Sequence, residues 1–104
     1  MPIQVSQDEG RAYIRIEGPL TIYGASEARD VLLATLAGTE TMEIDLSDLD
    51  ELDVAGVQLM LALKQHAQRV GKACSFLHHS PAAREVIDLL NLSSALGDPV
   101  VIPA

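Results

Sequence analysis

Apolar and polar residues alternate twice at the start of the chain, over 2–8 (Pro-Ile-Gln-Val-Ser-Gln-Asp) and 12–17 (Ala-Tyr-Ile-Arg-Ile-Glu). A period of two marks half-buried strands. Glu9-Gly10-Arg11 reads as the hairpin turn between them, and Gly18-Pro19 ends the second strand. The period then lengthens. With Thr21 as N-cap, a helix is expected from about Ile22 to Ala37, its apolar stripe including Ala25, Ala28, Val31, Leu32, Ala34 and Leu36, with Gly38 closing it. Met42-Glu43-Ile44-Asp45-Leu46 alternates again as a third strand. A second helix runs from about Val54 to Val70, with Val57, Met60, Leu61, Leu63, Ala67 and Val70 at three- and four-residue steps. Asp53 fits its N-cap and Gly71 its end. Ala73-Cys74-Ser75-Phe76-Leu77 is a fourth strand, and Ser80-Pro81 opens a third helix carrying Ala83, Val86, Ile87 and Leu90. Residues 92–97 read as a short turn, and Val100-Val101-Ile102 as a closing edge strand.

Strands alternating with helices after a hairpin predict an α/β fold. The sheet is mixed: an N-terminal antiparallel hairpin, then parallel strands joined by right-handed helical crossovers. A length of 104 residues suits one domain. With no Trp and one Phe, the core must be built from Leu, Val, Ile and Ala.

Charge narrows the possible partners. The formal net charge of −8 and the scattering of seven basic residues disfavour nucleic acid and anionic membrane surfaces, which need clustered Lys and Arg. Residues 40–53 hold seven of the fifteen acids and no base. Cys74 is the only cysteine, so no intrachain disulfide forms. No apolar run approaches the ~18 residues of a membrane span, and no leader pattern opens the chain. A cytoplasmic setting is expected.

The acids converge on Asp45-Leu46-Ser47-Asp48-Leu49-Asp50-Glu51-Leu52-Asp53-Val54-Ala55-Gly56, where a strand runs through an acidic turn into a helix. Asp53 as a helix cap stabilises by roughly 1 kcal/mol. The same helix start, with its positive dipole end and a side-chain-free Gly56, can face a partner. The two roles are compatible. His78-His79 point to opposite strand faces, and with His66 they form no recognised ligand spacing, so no metal is expected. Cys74 reads as inert core. No nucleophile elbow, phosphate loop or dinucleotide fingerprint occurs, so no cofactor and no catalysis are expected.

The ordered set Ile44-Asp45-Leu46-Ser47, then Asp53-Val54-Ala55-Gly56, then the apolar face from Val57 to Leu63 resembles the STAS family, shared by sulphate transporters and bacterial anti-sigma factor antagonists. Gly18-Pro19-Leu20-Thr21, Gly71-Lys72, and Ser80-Pro81 with Val86, Leu89, Leu90 and Leu92 extend the likeness over nearly the whole chain. The resemblance implies a single STAS-like domain over 1–104 that binds a protein partner without catalysis. Implied partners are an anti-sigma factor, a histidine-kinase-like ATPase or a chemotaxis-type signalling protein. The implied contact residues are Asp50, Glu51, Asp53, Val54, Ala55, Gly56 and Gln58. In regulatory members the serine after the motif Asp is phosphorylated, and the added charge breaks the complex. Val54 stands at that position here and Ala55 follows, so neither residue can accept phosphate. Val54 fits either the interface or the core, while Val57 favours the core.

Two other readings account for part of the pattern. A phosphoacceptor receiver domain would use Asp8-Glu9 and a late Lys, but Lys72 precedes the fourth strand. A cytoplasmic STAS subunit of an ABC-type lipid or solute transporter accounts for the same residues as the signalling module does.

Overall fold

A computed structural model describes residues 3–91 and residue 96. β1 (Ile3–Asp8) and β2 (Arg11–Ile16) form the expected antiparallel hairpin, with Glu9 and Gly10 both at positive φ in its turn. β2 then pairs in parallel with β4 (Thr41–Asp45), and β4 with β6 (Ala73–Leu77), giving the order β1-β2-β4-β6. The fold is therefore the mixed α/β sheet that the hydrophobic pattern implies.

Alternation along β2, β4 and β6 sends Ala12, Ile14, Ile16, Met42, Ile44, Cys74 and Phe76 to one face, where all are buried. Helices α1 (Ala25–Ala37) and α2 (Val54–Arg69) supply Leu32, Leu36, Met60 and Leu63 to the same core. Full burial of each such side chain contributes about 1.5–3 kcal/mol. The opposite face carries Tyr13, Arg15, Glu43 and Ser75, none of them buried. α3 (Pro81–Leu89) begins as expected, with the Ser80 hydroxyl accepting from the Ala83 amide at 3.1 Å, and it packs against β5 (Leu49–Leu52).

Four expectations need correction. First, α1 starts at Ala25 rather than Ile22, and Thr21 is not its side-chain cap; the Thr21 carbonyl instead accepts from the Gly24 and Ala25 amides at 3.0 and 2.8 Å. The Ile22 amide is drawn away by Asp53, a partner 31 positions distant that no local pattern reveals. Second, Gly18–Leu20 is a strand, β3, and the stretch read as an acidic turn contains β5; the two pair in parallel as a small second sheet. Strands this short announce themselves only by their partner. Third, β1 is exposed beyond Ile3, Val5 included, because an edge strand has one neighbour and the helices do not reach it. Fourth, α2 ends at Arg69, with Val70 as C-cap and Gly71 just beyond in the left-handed region. The turn expected at 92–97 lies outside the described residues apart from Leu96, which is buried; the strand expected at 100–102 lies wholly outside them.

Candidate functional site: the junction of the small sheet with helix α2

The two aspartates that bracket the acidic stretch are both structural anchors. Asp45, at the end of β4, is 4% exposed. Its carboxylate accepts from the Ser47 amide at 2.8 Å and from the Tyr13 hydroxyl across the sheet. Burial alone pushes this carboxyl up, but hydrogen bonds from Ser47 and Tyr13 and the nearby His78 outweigh it and hold the group below its ordinary value. The same bond raises the Tyr13 phenol above its ordinary value, since losing the proton would leave two anions in contact. The turn anchored by Asp45 returns the chain to β3, where the Gly18 amide donates to the Asp48 carbonyl at 3.0 Å.

Asp53 caps α2 as the sequence suggests. Its Oδ1 accepts from the Gly56 amide at 3.0 Å, and its Oδ2 accepts from the Ile22 amide at 2.9 Å. These backbone bonds, the Gly56 one foremost, hold its carboxyl below the ordinary value. One side chain thus fastens the turn before α1 to the start of α2.

Gly56 differs from the expectation of an open amide beside a bare backbone. It is buried, its amide is taken by Asp53, and a Cβ there would overlap the Leu20 carbonyl oxygen and lie 2.6 Å from Leu52 Cδ1. Glycine at 56 lets the first turn of α2 sit directly on the end of β3. Its need is steric.

Val54 points the other way and is 60% exposed, so it is not part of the core, while Val57 is buried there as expected. Ala55 is half-buried; Asp50, Glu51 and Gln58 are exposed. Asp48, also exposed, pairs with Arg15 at 3.3 Å. The residues singled out at 50–58 are therefore brought to one end of the molecule, though Gly56 is turned inward.

The sequence pattern missed two neighbours. Ile22 and Tyr23, read as the opening of α1, stand in the preceding turn and are 68% and 98% exposed. Because Asp53 binds the Ile22 amide, this pair is held beside Val54's end of α2. Ile22, Tyr23 and Val54 are thus exposed apolar residues on the two segments that Asp53 joins, and the exposed acids Asp50 and Glu51 precede Val54 in the chain. Two adjacent hydrophobes just ahead of a helical stripe gave no local sign of exposure.

Comparison with known proteins adds a family. The sequence profile described as "Mlab, STAS domain" matches residues 3–101. No curated protein matches the sequence. Among solved structures, an anti-sigma factor antagonist from Mycobacterium paratuberculosis superposes with a TM-score of 0.82 at 20% identity, covering 99% of this chain and 86% of its own. The anti-sigma factor antagonist SpoIIAA in its unphosphorylated form gives 0.77 at 19% identity, with 96% and 88% covered. The phosphorylated form of SpoIIAA, the Bacillus cell fate determinant, gives 0.72 at 19% identity, with 96% and 91% covered.

Proposed function

The chain belongs to the STAS domain family, and from that premise we propose that it is a non-catalytic, cytoplasmic regulatory module that binds a protein partner through the junction at 50–58. The observation that carries this reading is the outward Val54 on a helix start whose frame is fixed by Asp53 and Gly56, with the exposed Ile22 and Tyr23 on the turn that Asp53 binds. Bonds that hold the frame keep the apolar corner in place, which lowers the ordering cost of docking. Asp50 and Glu51 on its margin favour a partner with basic residues opposite them. The family points to an anti-sigma factor, a histidine-kinase-like ATPase or a chemotaxis-type signalling protein as that partner.

SpoIIAA exists in phosphorylated and unphosphorylated forms. This chain carries no hydroxyl at 54 or 55, so the family's switch at that position has no acceptor here. That loss favours a second reading, a permanently docked subunit such as the cytoplasmic STAS component of an ABC-type lipid or solute transporter.

One experiment tests the site and separates the readings. Wild-type protein and Val54→Asp are used as baits in the native lysate, and bound proteins are identified by mass spectrometry. A partner captured by the wild type and lost with the variant supports the junction; capture unchanged by the substitution rejects it. A kinase or anti-sigma factor among the lost proteins selects signalling, and a transporter ATPase selects the subunit role.

A further inference from the structure

A second surface lies along the seam of α1 and α2. Two adjoining hollows of about 340 and 170 Å³ share Arg29, Leu59 and Ala62. The larger reaches Ala25, Ala55 and Gln58 near the junction, and the smaller ends at His66 and Arg69. The floor is apolar: Leu59 and Leu63 are buried and Leu33 is half-buried. Alanines at 25, 55 and 62 are too small to fill the space where the two helices would otherwise interlock, and the seam stays open.

Charge distinguishes this seam from the rest of the molecule. In a chain of net charge −8, α2 carries no acid at all. Lys64 and Lys72 are tied to backbone carbonyls, at 2.7 Å to Cys74 and 2.7 Å to Leu36, and Arg15 is paired with Asp48. Arg11 is exposed on the hairpin and Arg84 is half-buried in α3, while Arg29 and Arg69 stand exposed together at the seam. The acids of α1 are Glu27 and Asp30; Asp30 approaches Arg29 only at 3.7 Å, with both side chains more than half exposed, a pairing that water screens heavily.

An apolar floor with cationic margins is complementary to a helix that is apolar on one face and acidic beside it. We propose that the α1–α2 seam docks an acidic amphipathic helix of a protein partner, its apolar side chains on Leu33, Ala62 and the edge of Leu59 and its carboxylates on Arg29 and Arg69. The proposal rests on the reading of the chain as a partner-binding module, but on different residues from Val54. Such a partner meets an acidic corner at one contact and a basic seam at the other, so the two contacts fix its orientation.

The test uses the full chain, isotopically labelled for amide NMR, and a synthetic helical peptide with leucines at three- and four-residue steps flanked by glutamates. A control peptide carries lysine in place of each glutamate. The expected result is shifts at Leu59, Ala62, Leu63 and Arg69 with the acidic peptide, and roughly tenfold weaker binding of the basic one. The double variant Arg29→Glu, Arg69→Glu, both at exposed positions, should keep its circular dichroism and reverse the preference. Equal binding of the two peptides, or shifts confined to another face, overturns the proposal. So does binding of the chain to anionic phosphatidylglycerol vesicles through these arginines, or self-association through the seam by sedimentation. Val54→Asp is titrated in parallel and should bind the peptide as the wild type does. Peptide binding that persists while Val54→Asp leaves lysate capture unchanged would reject the junction and keep the seam.

Discussion

Within one turn of helix, residues 53–56 present two regions of opposite kind. Asp53 and Gly56 face the molecule: the first ties α2 to the turn before α1, and the second lets α2 rest on the Leu20 carbonyl. Val54 faces away and joins Ile22 and Tyr23 at the surface. The inward pair is constrained by backbone contacts. The outward residue meets only solvent or a partner. The frame can therefore persist while the exposed position changes its chemistry, so Asp53 and Gly56 carry the local fold and Val54 does not.

Substitutions that attack the frame should be costly, and those on the outward face nearly silent for stability. Gly56→Ala is expected to have the largest effect, about 3 kcal/mol or more, because the added methyl meets backbone that cannot step aside. Urea denaturation measures it, and a change near zero would show that α2 can lift away from β3. Asp53→Ala should cost about 2 kcal/mol, since it removes the cap and the bond to Ile22 together.

The same variant should alter the acid limb of the stability profile. The Asp45 and Asp53 carboxyls are both held below the ordinary value of 3.8 when folded, so in acid the unfolded chain binds more protons. Their stabilisation is fully present above that value and is lost as the pH falls through the folded ones. Asp53→Ala should make stability fall less steeply below about pH 4, and an unchanged slope would assign the acid sensitivity elsewhere.

Tyr13→Phe comes next, with an expected loss of about 1 kcal/mol and an upward shift of the Asp45 titration by carboxyl NMR. A titration that does not move means that Ser47 and His78 hold Asp45 without the tyrosine. The smallest effect belongs to the outward position. Val54→Asp should change stability by less than about 0.5 kcal/mol, the helix dipole favouring the new carboxylate while Asp50, Glu51 and Asp53 oppose it. Thermal melting that shows a large loss would place Val54 with the frame and dissolve the contrast.

The same contrast runs through the whole fold. β2, β4 and β6 were legible because their inward residues alternate with polar ones and burial follows that alternation. β1 alternates as well, yet it is exposed beyond Ile3, because alternation predicts that a strand forms and not whether anything covers it. α2 and α3 were read nearly to the residue at their starts, since Asp53 and Ser80 make caps that act within three residues. The local pattern places the start of α1 three residues early, because its turn is set by Asp53, far along the chain.

By itself the sequence determined the α/β order of the main elements, the cap at Asp53 and the absence of a hydroxyl at 54 and 55, because periodicity, capping and side-chain chemistry are local properties. Tertiary structure alone decided that β3 and β5 pair, that Gly56 is closed against Leu20, that Ile22 and Tyr23 join Val54 at the surface, and that α1 and α2 leave a basic-edged seam. Each of these depends on which distant segment lies opposite, and local spacing carries no record of that.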